Sequence, residues 1–252
     1  MGILLVAAGA VAPWNSKVAL PVMRGLEAYF TFDTDAARFG FNRAPGKADA
    51  LVTGAPLAFA THGRFNGQTN FLTTKISETP NQTIIVVGKS VATVPVGSTQ
   101  IDQPYYVGNA YGSSVNPPYV GKTSTGVNLY HPDNARLSAS GARDNGSGDP
   151  SSAAASLGAT PATSWAIRAA RVTDTGPNVA MDLTSNTSAV GTNTNARILN
   201  DKTYRIGAVA LNASALVDIS SVAIYSVALT DAEIQLIAGV MRKRMLRLGI
   251  VV

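Results

Sequence analysis

The chain has no cysteine. Disulfide staples and thiolate metal sites are therefore excluded, and the composition suits folding in a reducing compartment. Histidine is nearly absent, with His62 and His131 alone. Two histidines with no H-x-x-x-H spacing do not make a histidine metal centre. Neither lies near a G-x-S-x-G elbow, which removes a common hydrolase signature. Glutamate is scarce as well: Glu27, Glu78 and Glu233 stand far apart. Glycan hydrolysis needs two carboxylates flanking one bond. Asp33 and Asp35 have strand spacing, but they follow a strand, where Asp commonly opens a turn. Glycine-rich phosphate cradles are missing too. An enzyme is not expected.

Charge is also sparse. Charged residues make up 14% of the 252 positions, against a usual quarter. The surface must then be covered by Ser, Thr, Asn, Gly and backbone. Hydrophobic residues reach 46%, ample for one large β domain. No apolar run is long enough to span a bilayer. The opening MGILLVAAGAVA is apolar, yet no Lys or Arg precedes it, so no cleaved signal peptide is expected. Gly2 lacks the Ser or Thr at position 6 that myristoylation wants.

The net charge is +5 with pI near 9.6. Arg242, Lys243, Arg244 and Arg247 supply much of that excess within one short stretch. A basic face suits nucleic acid or an anionic glycan. The same residues equally suit the end of a helix, where cations complement the dipole. On that second reading no nucleic-acid partner is expected.

The most informative segment runs from Leu216 to Leu248. Val217, Ile219, Val222, Ile224 and Val227 predict a buried strand. Thr230 and Glu233 have capping-box spacing. Ile234, Ile237, Val240, Met241, Met245 and Leu248 then form one stripe at helical period. Gly249 is a natural stop. A helix is expected over about 230–248.

Upstream, residues 1–24 read as an extended N-terminal arm and linker, with Pro13 and Pro21 bounding its second half. Ile3, Leu4, Leu5, Val6 and Trp14 are its assembly candidates, with Arg242, Arg244 and Arg247 at the other end of the chain. Residues 1–20 are expected to dock on a neighbouring copy. Leu26 to Asp33 alternates with strand period, and Ile84 to Val87 reads as a central strand. Val91 to Val96 around Pro95 suggests an edge or bulge. Residues 133–163 are small and polar without a period, so a long loop or a short hairpin across Asp144-Asn145-Gly146 is expected. Trp165 to Arg171, Val179 to Leu183 and Tyr204 to Ala210 read as further strands, with polar turns around residues 184–197.

The run VAIYSVALTDAEIQLI resembles the closing segment of concanavalin A-like lectin domains of the laminin-G and pentraxin type. GLEAYFTFD (Gly25–Asp33) is similar to the opening strand of that family, and HGRFNGQTNFLTT (His62–Thr74) to an early strand pair. TIIVVGKS, SWAIRAARVTD and TYRIGAVA add weaker similarity, all in the family's order. The resemblance implies an all-β fold: a concanavalin A-like jelly-roll β-sandwich of two antiparallel sheets over residues 25–252, ending in one helix. The fold hosts lectins, enzymes and passive modules, so it does not fix a function. Lectins of this fold often use calcium. Asp144, Asn145 and Asp149 are the densest oxygen group, but their spacing fits no calcium-loop rule. No metal or cofactor is assigned.

Five of the eight tyrosines lie between residues 101 and 132, mixed with asparagine and glycine. Sugars offer an apolar ring face for aromatic stacking and hydroxyls for amides. Tyr105, Tyr106, Asn109, Tyr111 and Tyr130 are therefore the glycan-binding candidates, although strand tyrosines also pack without any ligand. Low charge, absent cysteine and Ser/Thr/Asn/Gly-rich loops together suggest a bacteriophage virion component, in the tail or on the capsid surface. Its partners would be other virion proteins, copies of itself and host-surface polysaccharide. Adhesion and a purely structural decorating role both follow from that placement.

Overall fold

The strand expected around Ile219 is β17 (Leu216–Tyr225), ten residues long. The structure is a computed structural model and describes residues 17–209 and 213–252. One edge of β17 pairs with β6 (Gln82–Ser90). Its other edge carries two strands end to end: β4 (Gly63–Asn66) at its start and β1 (Leu26–Thr31) at its finish. Beyond β6 lie β13 (Ala166–Val172), β14 (Val179–Asp182) and β15 (Thr187–Val190), and beyond β4 lies β3 (Leu57–Ala58). This is the first sheet.

The second sheet runs β12 (Pro150–Leu157), β11 (Arg136–Asp144), β10 (Asn128–Asp133), β7 (Tyr105–Gly108), β16 (Thr203–Ile206), β5 (Phe71–Ser77) and β2 (Leu51–Thr53). A two-stranded ribbon, β8 (Gly112–Ser113) with β9 (Thr123–Ser124), stands apart. Pairings are antiparallel in both sheets. The fold is an all-β sandwich with one C-terminal helix, as expected.

Two apolar layers hold it together. Phe30, Phe65, Leu72, Ile84, Val86, Val107, Leu129, Leu137, Val222 and Ile224 pack between the sheets. Ile85, Val87, Ala223 and Tyr225 point the other way, into a second layer. Register explains the split: Val222 faces Val86, Ala223 faces Ile85, and Ile224 faces Ile84. A strand covered on both faces has no polar positions, so Ile84 to Val87 shows no alternation.

The second layer is roofed by α1 (Asp231–Arg247). Thr230 Oγ1 accepts from Glu233 N, and the Glu233 carboxylate accepts from Thr230 N, completing the capping box. Ile234, Ile237, Ala238, Met241 and Met245 are buried against the sheet. Each large side chain so buried stabilises by about 1.5–3 kcal/mol. Gly249 leaves the helix at φ 77°, a conformation costly to other residues. Lys17–Leu20 belong to the stretch expected to dock elsewhere. Val18 N donates to Arg43 O, and Leu20 is buried in the helix-side layer of its own chain. Ile3, Leu4, Leu5, Val6 and Trp14 lie outside the described residues.

Three expectations change. Residues 137–144 pair throughout with 150–157, so the small polar stretch is one long hairpin. Its inward residues are Leu137, Ala139, Ala155 and Leu157, and its outward ones include Ser138 and Ser156. Alanine and serine differ too little in hydropathy for such alternation to register as a pattern. The polar stretch after Leu183 contains β15, an edge strand whose only sheet partner is β14. Around Pro95 there is no strand: β6 ends at Ser90, whose hydroxyl donates to Ala92 O.

Candidate functional site

Tyr105 and Tyr130 are register partners on β7 and β10. Their rings stack 4.7 Å apart at 15°. Tyr111 joins them, with Val209, Ala110 and Ala213 completing the cluster. Gln100 Nε2 donates to the Tyr111 hydroxyl at 2.7 Å, and Tyr105 donates to Gln103 Oε1 at 3.4 Å. Tyr130 points away from the core because its neighbour Leu129 packs inside it; a bulge in the β7–β10 pairing puts Tyr105 opposite Tyr130 while Tyr106 and Val107 both stay on the core side, and Tyr111 packs against the outward pair. Burial, reinforced by Tyr130 and Tyr111, raises the Tyr105 phenol above its ordinary pKa. Burial likewise raises Tyr130. These phenols stay neutral at physiological pH and serve as donors and flat faces. Gln100 and Gln103 escaped the sequence reading, because their link to the tyrosines depends on a short 3₁₀ turn at Gln100–Asp102.

Tyr106 and Asn109 do not belong to this face. At the β7–β10 bulge Tyr106 stays on the core side with Val107, while Tyr105 faces out. Tyr106 is buried in the main core, 5.3 Å from the Arg168 guanidinium and edge-on to His131. Asn109 is fully buried. Its Oδ1 accepts from Val127 N at 2.7 Å, and its Nδ2 donates to Asn200 Oδ1 at 3.0 Å. Its amide holds the chain together and meets no solvent.

Most of the other candidates are engaged within the fold, and Arg247 is exposed. Arg242 donates to Val252 O and Leu183 O. Arg244 pairs with Asp33. Arg247 lines a groove with Arg43, Asp33 and Tyr29 beside the helix. Asp144 Oδ1 accepts from Gly146 N, Asn145 Oδ1 accepts from Ser147 N, and Asp149 pairs with Lys122 at 2.6 Å. The first two oxygens close the β11–β12 turn, and the third ties that turn to the loop between β8 and β9. Among the described residues no three His, Asp or Glu side chains gather as a metal site would require. Glu27 pairs with Lys47, Glu78 with Arg197, and Glu233 with Arg24. Asp35 caps a 3₁₀ turn through Ala37 N.

No protein-family model and no curated protein matches the sequence. Solved structures do. Trypanosoma rangeli sialidase in complex with sialic acid aligns with TM-score 0.57 at 14% identity, covering 94% of this chain and 36% of that one. The binding domain of botulinum neurotoxin DC in complex with SialylT aligns at 0.57 and 10%, covering 87% and 52%. The receptor-binding domain of botulinum neurotoxin C/D mosaic serotype aligns at 0.57 and 10%, covering 88% and 53%. The chain thus spans about a third of the sialidase and about half of the toxin domains. At such identities the likeness establishes the β-sandwich fold and nothing about function.

Proposed function

We propose that the protein is a non-enzymatic, carbohydrate-binding β-sandwich at the surface of a tailed-bacteriophage virion, adhering to host-surface glycan. The observation that carries this reading is the convergence of Tyr105, Tyr111 and Tyr130 on one outward face, with Gln100 and Gln103 beside them. Two of the three are only partly buried, leaving ring surface and phenol groups for a sugar. Among the structural neighbours, the sialidase is in complex with sialic acid and the toxin binding domain with SialylT, which agrees with a saccharide partner. The virion setting is supported by the low charge, the missing cysteine and the small-residue hairpin. Among the described residues no helix is long and apolar enough to cross a membrane.

A purely structural decorating role is the competing reading. In its favour, Tyr105 is only 6% exposed, so its ring serves packing first. A glycan array of host polysaccharides separates the two. Adhesion requires binding that Tyr111→Ala and Tyr130→Ala abolish while the fold persists by circular dichroism. A blank array with folded protein counts against adhesion and favours the decorating role. Release of reducing ends from host polysaccharide would overturn the non-enzymatic part.

A further inference from the structure

Helix α1 covers the outer face of the first sheet over Ile85, Val87, Ala223 and Tyr225. Further along the same strands the face changes character. Asp218 of β17 pairs in register with Arg64 of β4 on one side and Lys89 of β6 on the other. Their neighbours Val217, Ile219 and Phe65 point into the core, so all three charged side chains stand outward. Asp218 is almost wholly covered, whereas Arg64 and Lys89 are each 29% exposed.

The charges do not balance. Arg64 spends Nε and Nη2 on the Asp218 carboxylate, at 2.7 and 3.1 Å. Lys89 Nζ is 3.9 Å from the same carboxylate, attracted but beyond hydrogen-bond distance. Burial would raise the Asp218 pKa. His62, whose Nε2 lies 3.4 Å from the carboxylate, and the Arg64 hydrogen bonds win, and the carboxyl is held down to about 2. Asp218 is therefore ionised, and two cations, Arg64 and Lys89, share its single negative charge, which leaves the group with an excess of positive charge on the Lys89 side, the more weakly paired of the two.

Aromatic rings frame this surplus cation. Phe59 stacks on His62 at 4.6 Å and 10°, and Trp165 meets the other side of the cluster with its ring 5.2 Å from His62. The Arg64 guanidinium lies 5.0 Å from the Phe59 ring, and Lys89 Nζ 5.5 Å from the Trp165 ring. Phe59 is 39% exposed on the loop after a two-residue strand. The core gains little from an aromatic placed there. Flat apolar faces beside an under-used ammonium complement a ring with an apolar side and an acid group.

We infer that Phe59, Arg64, Lys89 and Trp165 form a second ligand site, on the sheet opposite the tyrosine face, for a saccharide bearing a carboxylate or sulfate. The sugar ring packs on Phe59 and Trp165, and its acid group meets Lys89 and the remaining Arg64 donors. His62 and Asp218 are positioning residues, one bracing the rings and the other fixing Arg64. The site stands independently of the tyrosine face, which is read by different signals.

The test uses the full chain, trigalacturonate, a heparin hexasaccharide and fully methyl-esterified trigalacturonate, followed through the Trp165 indole N–H signal. Trp14→Phe assigns that signal, since the chain has two tryptophans. One or both acidic probes should shift it, at least tenfold more tightly than the ester. The shift should weaken at least tenfold in Lys89→Gln and in Phe59→Ala, both exposed enough to keep the fold. Silence from both acidic probes, equal affinity for the ester, or binding unchanged in Lys89→Gln overturns the inference. Equal affinity for a hexaglutamate peptide overturns the saccharide assignment. None of these outcomes bears on the tyrosine face, whose readout is the Tyr111 and Tyr130 ring signals with neutral sugars.

Discussion

Glu78 and Arg197 meet as an ion pair with both side chains fully buried. Glu78 Oε2 also accepts from Asn200 N at 3.0 Å and from Asn109 Nδ2 at 3.3 Å. One carboxylate thus ties the end of β5, the segment before β16 and the chain just after β7. Tyr111 follows Asn109 by two residues, so this network sits behind the loop that presents it. Burial holds the Arg197 guanidinium down to about 10, so it is still charged at neutral pH. Removing its partner strands that charge. Glu78→Gln should cost about 3–5 kcal/mol by denaturant titration. The double variant Glu78→Leu with Arg197→Met should cost less than Glu78→Gln alone, because no unpaired charge is left. A loss below 1 kcal/mol in Glu78→Gln would mean water reaches the pair.

Tyr105 and Tyr130 stack, so their contributions to stability should couple. In a double-mutant cycle with alanine, the interaction energy should be about 0.5–1.5 kcal/mol. Simple additivity would mean the stack contributes only area. Tyr111→Phe removes the hydroxyl that accepts from Gln100 and should leave stability within about 0.5 kcal/mol. It therefore isolates a ligand effect from a folding effect.

The part of this fold most legible in the sequence was the part with contrast. Thr230, Glu233 and the stripe from Ile234 to Met245 combine a cap, a period and a charge gradient, and the helix lies where those signals place it. The β-branched run Ile84 to Val87 is equally unambiguous, because only a strand buried on both faces tolerates it. The β11–β12 hairpin had no contrast, being Ser against Ala, and its pairing is non-local information. Of the five tyrosine-region candidates, Tyr105, Tyr111 and Tyr130 converge. Tyr106 and Asn109 were indistinguishable from them by composition, and a bulge between β7 and β10 decides which ring faces out. The Lys89 and Trp165 cluster was invisible for a different reason. Its members come from widely separated strands, and only the register of β17 with β4 and β6 assembles them.

Gly207 offers a sharper test of packing. It sits at φ 72°, directly after β16, and its N–H donates to Tyr106 O at 2.8 Å. An added Cβ would fall on the Phe65 side chain in the main core. Gly207→Ala should cost about 2–5 kcal/mol, combining left-handed backbone strain with overpacking. Gly121 has a similar φ of 82° but open space around it. Gly121→Ala should cost only the backbone share, about 1–2 kcal/mol. Equal losses at the two positions would show that the Phe65 contact relaxes without penalty.

His131 should make the protein acid-sensitive in a window of its own. Its ring is fully buried beside Tyr106. Burial first, and the nearby Arg168 charge second, lower its pKa from 6.5 to about 3. The imidazole is therefore neutral in the fold and protonated in the unfolded chain between those values. The unfolded state binds the extra proton, so stability falls as pH drops from 6.5 towards 3, by about 1.4 kcal/mol per unit. Glu233 behaves differently. Arg24 foremost, together with the Thr230 N–H, lowers its carboxyl from 4.5 to about 2, so its contribution is present above 4.5 and is lost as pH falls towards 2. His131→Asn should flatten the stability profile between pH 6.5 and 4.5, where Glu233 is silent. Glu233→Gln should leave that upper window intact and alter only the lower one. A wild-type profile flat from pH 6.5 to 4.5 would show that His131 finds a proton acceptor within the fold.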